Sequence, residues 1–158
     1  MGSSPLITRA TVEDIVRQIV VKRLGQTGKP LAPKLVVDAS ARHMHLCRED
    51  IDRLFGKGYE LTIYRPLYQE GHFAANEMVT IIGPRSRLIS NLRILGPLRE
   101  RSQVELAFTD AISLGLPNIP IRLSGDITGT PGAFIMGPKG MIELKEGVIR
   151  AAIHAHMN

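Results

Sequence analysis

The chain has 158 residues, 44% hydrophobic and 22% charged, enough for one sizeable buried core and too apolar for a disordered chain. Its formal charge of +5 suits anionic partners such as phosphate and phosphorylated cofactors, while the lack of a Lys/Arg run or an aromatic RNA-binding motif argues against nucleic acid. The single cysteine, Cys47, excludes an internal disulfide framework, and no apolar run approaches the roughly 20 residues a membrane span needs, so a cytoplasmic protein without a membrane partner is expected.

Residues 11–24 are predicted to form an amphipathic helix, because Val12, Ile15, Val16, Ile19, Val20 and Leu24 recur on one helical face. Thr11 with Asp14 reads as its N-cap box and Gly25 as its stop. Gly28, Pro30 and Pro33 then mark a linker, so residues 1–33 read as a tethered helix and 34–158 as the body. Such a helix docks on a partner, on its own body or on a sister chain.

Beyond the linker, short apolar runs punctuated by Gly and Pro predict a mostly β body with an aliphatic core, aromatics being only 4%. Strands are expected at 35–38, 60–64, 78–82, 88–95, 103–108, 119–123, 133–136 and 141–144. One helix is expected at 49–55, where Ile51, Leu54 and Phe55 share a face ahead of Gly56 and Gly58. Ile82-Gly83-Pro84-Arg85 is echoed by Met136-Gly137-Pro138-Lys139-Gly140, and His43-Met44-His45 by His154-Ala155-His156. Two related halves follow, each with a hairpin, in a small β-barrel or two packed barrels.

Four of the five histidines lie in the two His-x-His units. On a strand, residues i and i+2 face the same way, so each unit can aim two imidazoles at one site. Imidazole suits zinc and related divalent ions; the competing reading is a pair of hydrogen-bonded or surface strand histidines. His72 is read as structural or exposed. Glu105 stands in an otherwise apolar run, either partnered or simply on the outward face. Arg99 and Arg101 lie on a turn where guanidinium forks could grip phosphate oxygens or stay solvated. Cys47 is read as a small, partly buried side chain with no catalytic base beside it, so covalent catalysis is not expected. The stretch 124–132 is Gly-rich without a P-loop or dinucleotide pattern and reads as a connection.

Several segments in order, Val37-Asp38-Ala39-Ser40-Ala41-Arg42-His43-Met44-His45-Leu46, Gly71-His72-Phe73-Ala74-Ala75, Arg93-Ile94-Leu95-Gly96-Pro97, Ser124-Gly125-Asp126 and Gly137-Pro138-Lys139-Gly140, resemble the PduL family. These are phosphate propanoyltransferases, the phosphotransacylases of bacterial microcompartments. The resemblance implies two small β-barrels with two zinc ions between them. It implies His43, His45 and Glu105 as ligands of one zinc and His154 and His156 as ligands of the other. Arg99 resembles the phosphate-handling arginine, and Ser40, Arg65 and Arg93 fall where coenzyme A contacts are expected.

The activity so implied is exchange of a propanoyl or acetyl group between coenzyme A and phosphate, in a microcompartment lumen, with residues 11–24 recruiting the enzyme to shell proteins. Two departures stand out: Ile153 replaces the basic residue usual before the second histidine motif, and the sequence stops at Asn158 before the region expected to complete the first barrel. An incomplete barrel implies an open strand edge and self-association with a second copy. It also keeps alive a non-catalytic metal-binding or shell-associated module, or an inactive fragment, as the alternative.

Overall fold

A computed structural model describes residues 9–24 and 42–152. These fall into two units divided after Val37. The first is α1 (Arg9–Leu24), on which Val12, Ile15, Val16, Ile19 and Val20 are all exposed, as is Val21 on another side. Thr11 lies inside this helix rather than at its cap, so the predicted N-cap box does not operate there. The linker and the strand expected at 35–38 lie outside the described residues. No helix among the described residues is long and apolar enough to cross a membrane.

The body is mostly sheet. Its elements are β1 (His43–His45), α2 (Arg48–Phe55), β2 (Ile63–Pro66), β3 (Phe73–Ile82), β4 (Leu88–Gly96), β5 (Gln103–Glu105), α3 (Phe108–Leu114), β6 (Ile121–Arg122), β7 (Ala133–Met136), β8 (Met141–Leu144) and β9 (Val148–Ala151). The strands run in the order β6-β9-β5-β1-β4-β3-β7-β8, with β2 added on β3, as a curled half-barrel. On its inner side Met44, Leu46, Ile81, Leu92, Ile94, Val104, Ile135 and Ile142 are almost fully buried, an aliphatic core with Phe55 as its one buried aromatic. The alternation of buried and exposed residues along β7 and β8 marks a sheet with one covered face.

The echo in the sequence has a physical basis. Residues 83–87 turn β3 into β4, and residues 137–140 turn β7 into β8; the two hairpins pair through β3 and β7. Each turn lays its first glycine on the end of a helix. A Cβ on Gly83 would stand 2.2 Å from the Leu114 carbonyl oxygen at the end of α3, and one on Gly137 would stand 2.7 Å from the Leu54 oxygen near the end of α2.

The strand–helix units repeat as well. β1–α2 and β5–α3 match residue for residue, with Leu46 answered by Leu106, Asp50 by Asp110 and Leu54 by Leu114. Each first strand has a parallel neighbour, β4 beside β1 and β9 beside β5. Among the described residues, then, the structural counterpart of His43-Met44-His45 is Gln103-Val104-Glu105. These equivalent strands pair antiparallel with Met44 opposite Val104, so a local two-fold passes between them.

Several predicted boundaries shift. β3 starts five residues earlier than the strand expected at 78–82, and β2 lies further on than 60–64. The run 103–108 divides: β5 ends at Glu105 and Phe108 opens α3, which was not expected. β9 was not expected either.

Candidate metal and phosphate site

The antiparallel pairing of β1 and β5 sets His43 opposite Glu105 and His45 opposite Gln103. Because both strands alternate faces, all four side chains gather on one side of the pair. All are buried, with Gln103 only 1% exposed. His43 Nε2 lies 3.4 Å from Glu105 Oε2, and the His43 and His45 rings meet edge to face at 5.1 Å between centroids. One ligand atom from each of His43, His45 and Glu105 can be chosen so that all lie within 4.8 Å of one another.

Protonation favours ligation. Burial, reinforced by the charge of Arg99 and by His43, lowers His45 to about 3, so its imidazole is neutral. Its ring donates to the Leu95 carbonyl, while Nδ1 is buried without a hydrogen-bond partner. A backbone acceptor on one nitrogen fixes the tautomer and leaves the lone pair of the other free. Burial works to raise Glu105, but the hydrogen bond and charge of His43 and the hydrogen bond of Ser124 outweigh it and hold the carboxyl at about 2. Two imidazoles and a carboxylate, one nitrogen an orphan, fit a zinc-like divalent cation.

Arg99 closes the site from the loop after β4. Its backbone N–H donates to the Leu46 carbonyl at 2.9 Å, which hangs this loop on the end of β1. Its Nη1 donates to Ser124 Oγ at 2.7 Å. Burial lowers the guanidinium pKa and the charge of Glu105 opposes that shift. Ser124 Oγ in turn donates to Glu105 Oε1 at 2.7 Å. Gln103 Nε2 donates to the same carboxylate oxygen at 2.6 Å and to Ser124 Oγ at 3.0 Å, and Gln103 Oε1 accepts from the Gly125 N–H at 2.6 Å.

A sequence profile described as phosphate propanoyltransferase matches residues 36–158. The chain belongs to the phosphate propanoyltransferase family. A relative of that name from Planctopirus limnophila is 49% identical over 96% of this chain and 66% of its own length. One from Thermotoga maritima is 51% identical over 80% of this chain and 59% of its own, and one from Lachnoclostridium phytofermentans 49% identical over 97% and 67%. The chain thus spans about two thirds of the length of the curated relatives it matches.

The other residues singled out in this family member fall in different places. Arg93 stands beside His43 in the β1–β4 register; its Nη1 donates to the Ala75 carbonyl and its guanidinium lies 4.6 Å from the centre of the Tyr64 ring. Arg65 is on β2, next to Tyr64 and exposed. Arg101 turns away to Glu146 and Thr128 and holds loops together. Ser40, His154 and His156 lie outside the described residues. Cys47 is a free, half-buried thiol whose Sγ donates to Asp50 Oδ2 at 3.3 Å, and His72 bonds the Glu70 carbonyl.

Sequence reasoning gave no role in the site to Gln103, Ser124 or the Leu95 carbonyl, although Ser124 lies in one of the segments that carry the family resemblance. Gln103 alternates with Glu105 on the same strand, a signal that was available. Ser124 is separated from Glu105 by a helix and a strand, so only the tertiary structure brings it in.

Proposed function

We propose that this chain exchanges a short acyl group, propanoyl or acetyl, between coenzyme A and phosphate at a zinc held by His43, His45 and Glu105. One observation carries the reading: three ligating groups, with His45 held neutral and Glu105 held ionised, converge beside a half-buried arginine that reaches the same hydroxyl as the carboxylate. The names of the relatives support the acyl and phosphate part. A bound zinc would supply Lewis acidity that favours a thiolate over a thiol and offsets charge on phosphate oxygens.

The side chains define the remaining roles. Arg99 offers a planar fork to phosphate oxygens, positioned by its backbone bond to Leu46. Arg93, steadied by Ala75 and Tyr64 beside His43, and Arg65 on β2, next to Tyr64, supply positive charge for the phosphates of coenzyme A, with Ser40 as a further contact. In the forward direction the coenzyme A sulfur bonds to the carbonyl carbon of the acyl phosphate as the bond from that carbon to phosphate oxygen breaks. Arg99 stabilises the charge left on phosphate, and the reverse reaction retraces these bonds. Direct transfer suits this site, since the only thiol, Cys47, is engaged with Asp50 and Ser102. His154 and His156 are the proposed ligands of a second zinc, on the family resemblance.

Arg99→Ala should raise the KM for phosphate and lower kcat together, while zinc content is unchanged; Arg99→Lys should recover only part, because a point charge does not replace the fork. Equal phosphate KM in the parent and Arg99→Ala would remove Arg99 from this role. A metal-binding module, by contrast, would retain zinc and release no thiol from propanoyl-coenzyme A in the presence of phosphate.

The exposed apolar stripe of α1 supports a second role, recruitment to a protein shell. Removal of residues 1–30 should abolish co-localisation with shell proteins and leave zinc binding intact. Loss of zinc with co-localisation preserved would contradict it.

A further inference from the structure

The hydroxyl of Ser124 touches both halves of the proposed chemistry, the arginine for phosphate and the carboxylate for metal. The direction of each of its hydrogen bonds is forced. An ionised carboxylate can only accept, and a guanidinium or a side-chain amide N–H can only donate. The Ser124 proton therefore points at Glu105 Oε1, and its oxygen lone pairs receive Arg99 Nη1 and Gln103 Nε2. No alternative rotamer of the hydroxyl proton satisfies the same set of neighbours.

This arrangement treats the two oxygens of Glu105 differently. Oε1 accepts from both Ser124 and Gln103, whereas Oε2 faces His43 Nε2. With Oε1 so occupied, Oε2 is the oxygen left to ligate. Gln103 is in turn held by the Gly125 N–H, next in sequence to Ser124, so the 124–125 turn grips β5 from both the hydroxyl and the backbone. The Gly129–Glu146 bond anchors the rest of this connection to the β8–β9 turn, and Arg101, from the loop before β5, bonds both Glu146 and Thr128.

We propose that Ser124 is a positioning residue that fixes Glu105 as a one-oxygen metal ligand through Oε2 and aims the Arg99 guanidinium, so that metal affinity and phosphate affinity are coupled through one hydroxyl. The inference rests on the roles assigned above to Glu105 and Arg99. It goes beyond them by adding a residue that need touch neither substrate nor metal, and by linking two affinities that would otherwise be independent.

The test uses the full 158-residue chain with Ser124→Ala, Ser124→Thr and Arg99→Ala. Zinc dissociation constants are measured by chelator competition, and KM for phosphate and kcat at saturating zinc. Ser124→Ala should weaken zinc by about 10- to 100-fold, the effect usual for losing a partner of a metal ligand. It should also raise the phosphate KM more than it lowers kcat. Ser124→Thr, which keeps the hydroxyl, should restore both. Arg99→Ala should raise the phosphate KM without the loss of zinc affinity.

Zinc affinity and phosphate KM in Ser124→Ala equal to the parent, while Arg99→Ala is impaired, would overturn the role of Ser124 and leave the acyltransferase reading standing. A chain in which Arg99→Ala changes nothing would instead fail that reading. Loss of both affinities in Ser124→Ala that threonine does not restore would mark a packing effect and likewise overturn the inference.

Discussion

Glu105 faces His43 across the β1–β5 pair, with Oε2 3.4 Å from Nε2, although the two are separated in sequence by the helix α2 and the strands β2 to β4. Their strands are the equivalent strands of an internal repeat, and they cross with Met44 opposite Val104. The candidate site therefore lies on the local two-fold. One half brings two histidines and the other brings Gln103 and Glu105, so the donors come from a symmetric backbone bearing asymmetric side chains.

Removing a ligand should remove the ion. Glu105→Gln keeps the size of the side chain and drops its charge, and His43→Ala drops a nitrogen. Native mass spectrometry should find each variant short of one zinc relative to the parent, with the fold retained by circular dichroism. An unchanged zinc count in both variants would place the ion elsewhere.

The metal-free protein should lose stability on acidification, beginning at the ordinary histidine pKa. His45 is lowered from 6.5 to about 3 by burial. Between those values the unfolded chain binds a proton that the folded chain does not, so stability falls as pH falls, by up to about 1.4 kcal/mol per unit. Glu105 is depressed from 4.5 to about 2, so its contribution is present above 4.5 and is lost only below it. Urea melts at pH 7, 6 and 5 should thus show a slope that His45→Asn flattens; parallel slopes would contradict it.

The two hairpin turns should tolerate no side chain at their first glycine. Gly83→Ala forces a Cβ to 2.2 Å from a backbone oxygen and Gly137→Ala to 2.7 Å. Helix ends give little, so each should destabilise by about 1–3 kcal/mol, the range for overpacking, with Gly83→Ala the worse. Denaturant midpoints at constant m-value measure this. A midpoint shift for neither would mean the turns do not seat on the helices.

How much of this was legible depends on the range of the interactions. α2 could be read from Ile51, Leu54 and Phe55, which are buried on one face, and from Gly56 at its end. α3 could not, because Ala107 caps it without a side-chain hydrogen bond and Phe108 continues the apolar run of β5. β1 spans only 3 residues, below what alternation can reveal, and β9 does not alternate, Val148 and Ile149 being buried in succession. The hairpin echo was visible as Gly-Pro turns. That β5 is the counterpart of β1 was hidden, because Gln103 and Glu105 differ in chemistry from His43 and His45 while sharing their backbone positions. Arg99, His43, His45 and Glu105 were each visible by type, but their convergence is a property of strand order.

A buried carboxylate outside the site should matter for folding alone. Glu77 accepts hydrogen bonds from Tyr59 Oη at 3.0 Å, Thr62 Oγ1 at 2.8 Å and the Thr62 N–H. Burial acts to raise its pKa, but the bonds from Thr62 and Tyr59 outweigh burial and lower it. Tyr59→Phe leaves the carboxylate one donor short and should destabilise by about 1–3 kcal/mol without altering zinc affinity. A weakened zinc site in this variant would tie the two regions together and contradict that separation.

The most direct test of the central claim is phosphate-dependent release of thiol from propanoyl-coenzyme A, followed on the same sample as prepared, after chelation, and after zinc is restored. Zinc held by His43, His45 and Glu105 at the site of acyl transfer predicts release that requires phosphate, disappears on chelation and returns with zinc, in the parent and not in Glu105→Gln. Release that survives chelation, or that Glu105→Gln retains in full, would contradict it.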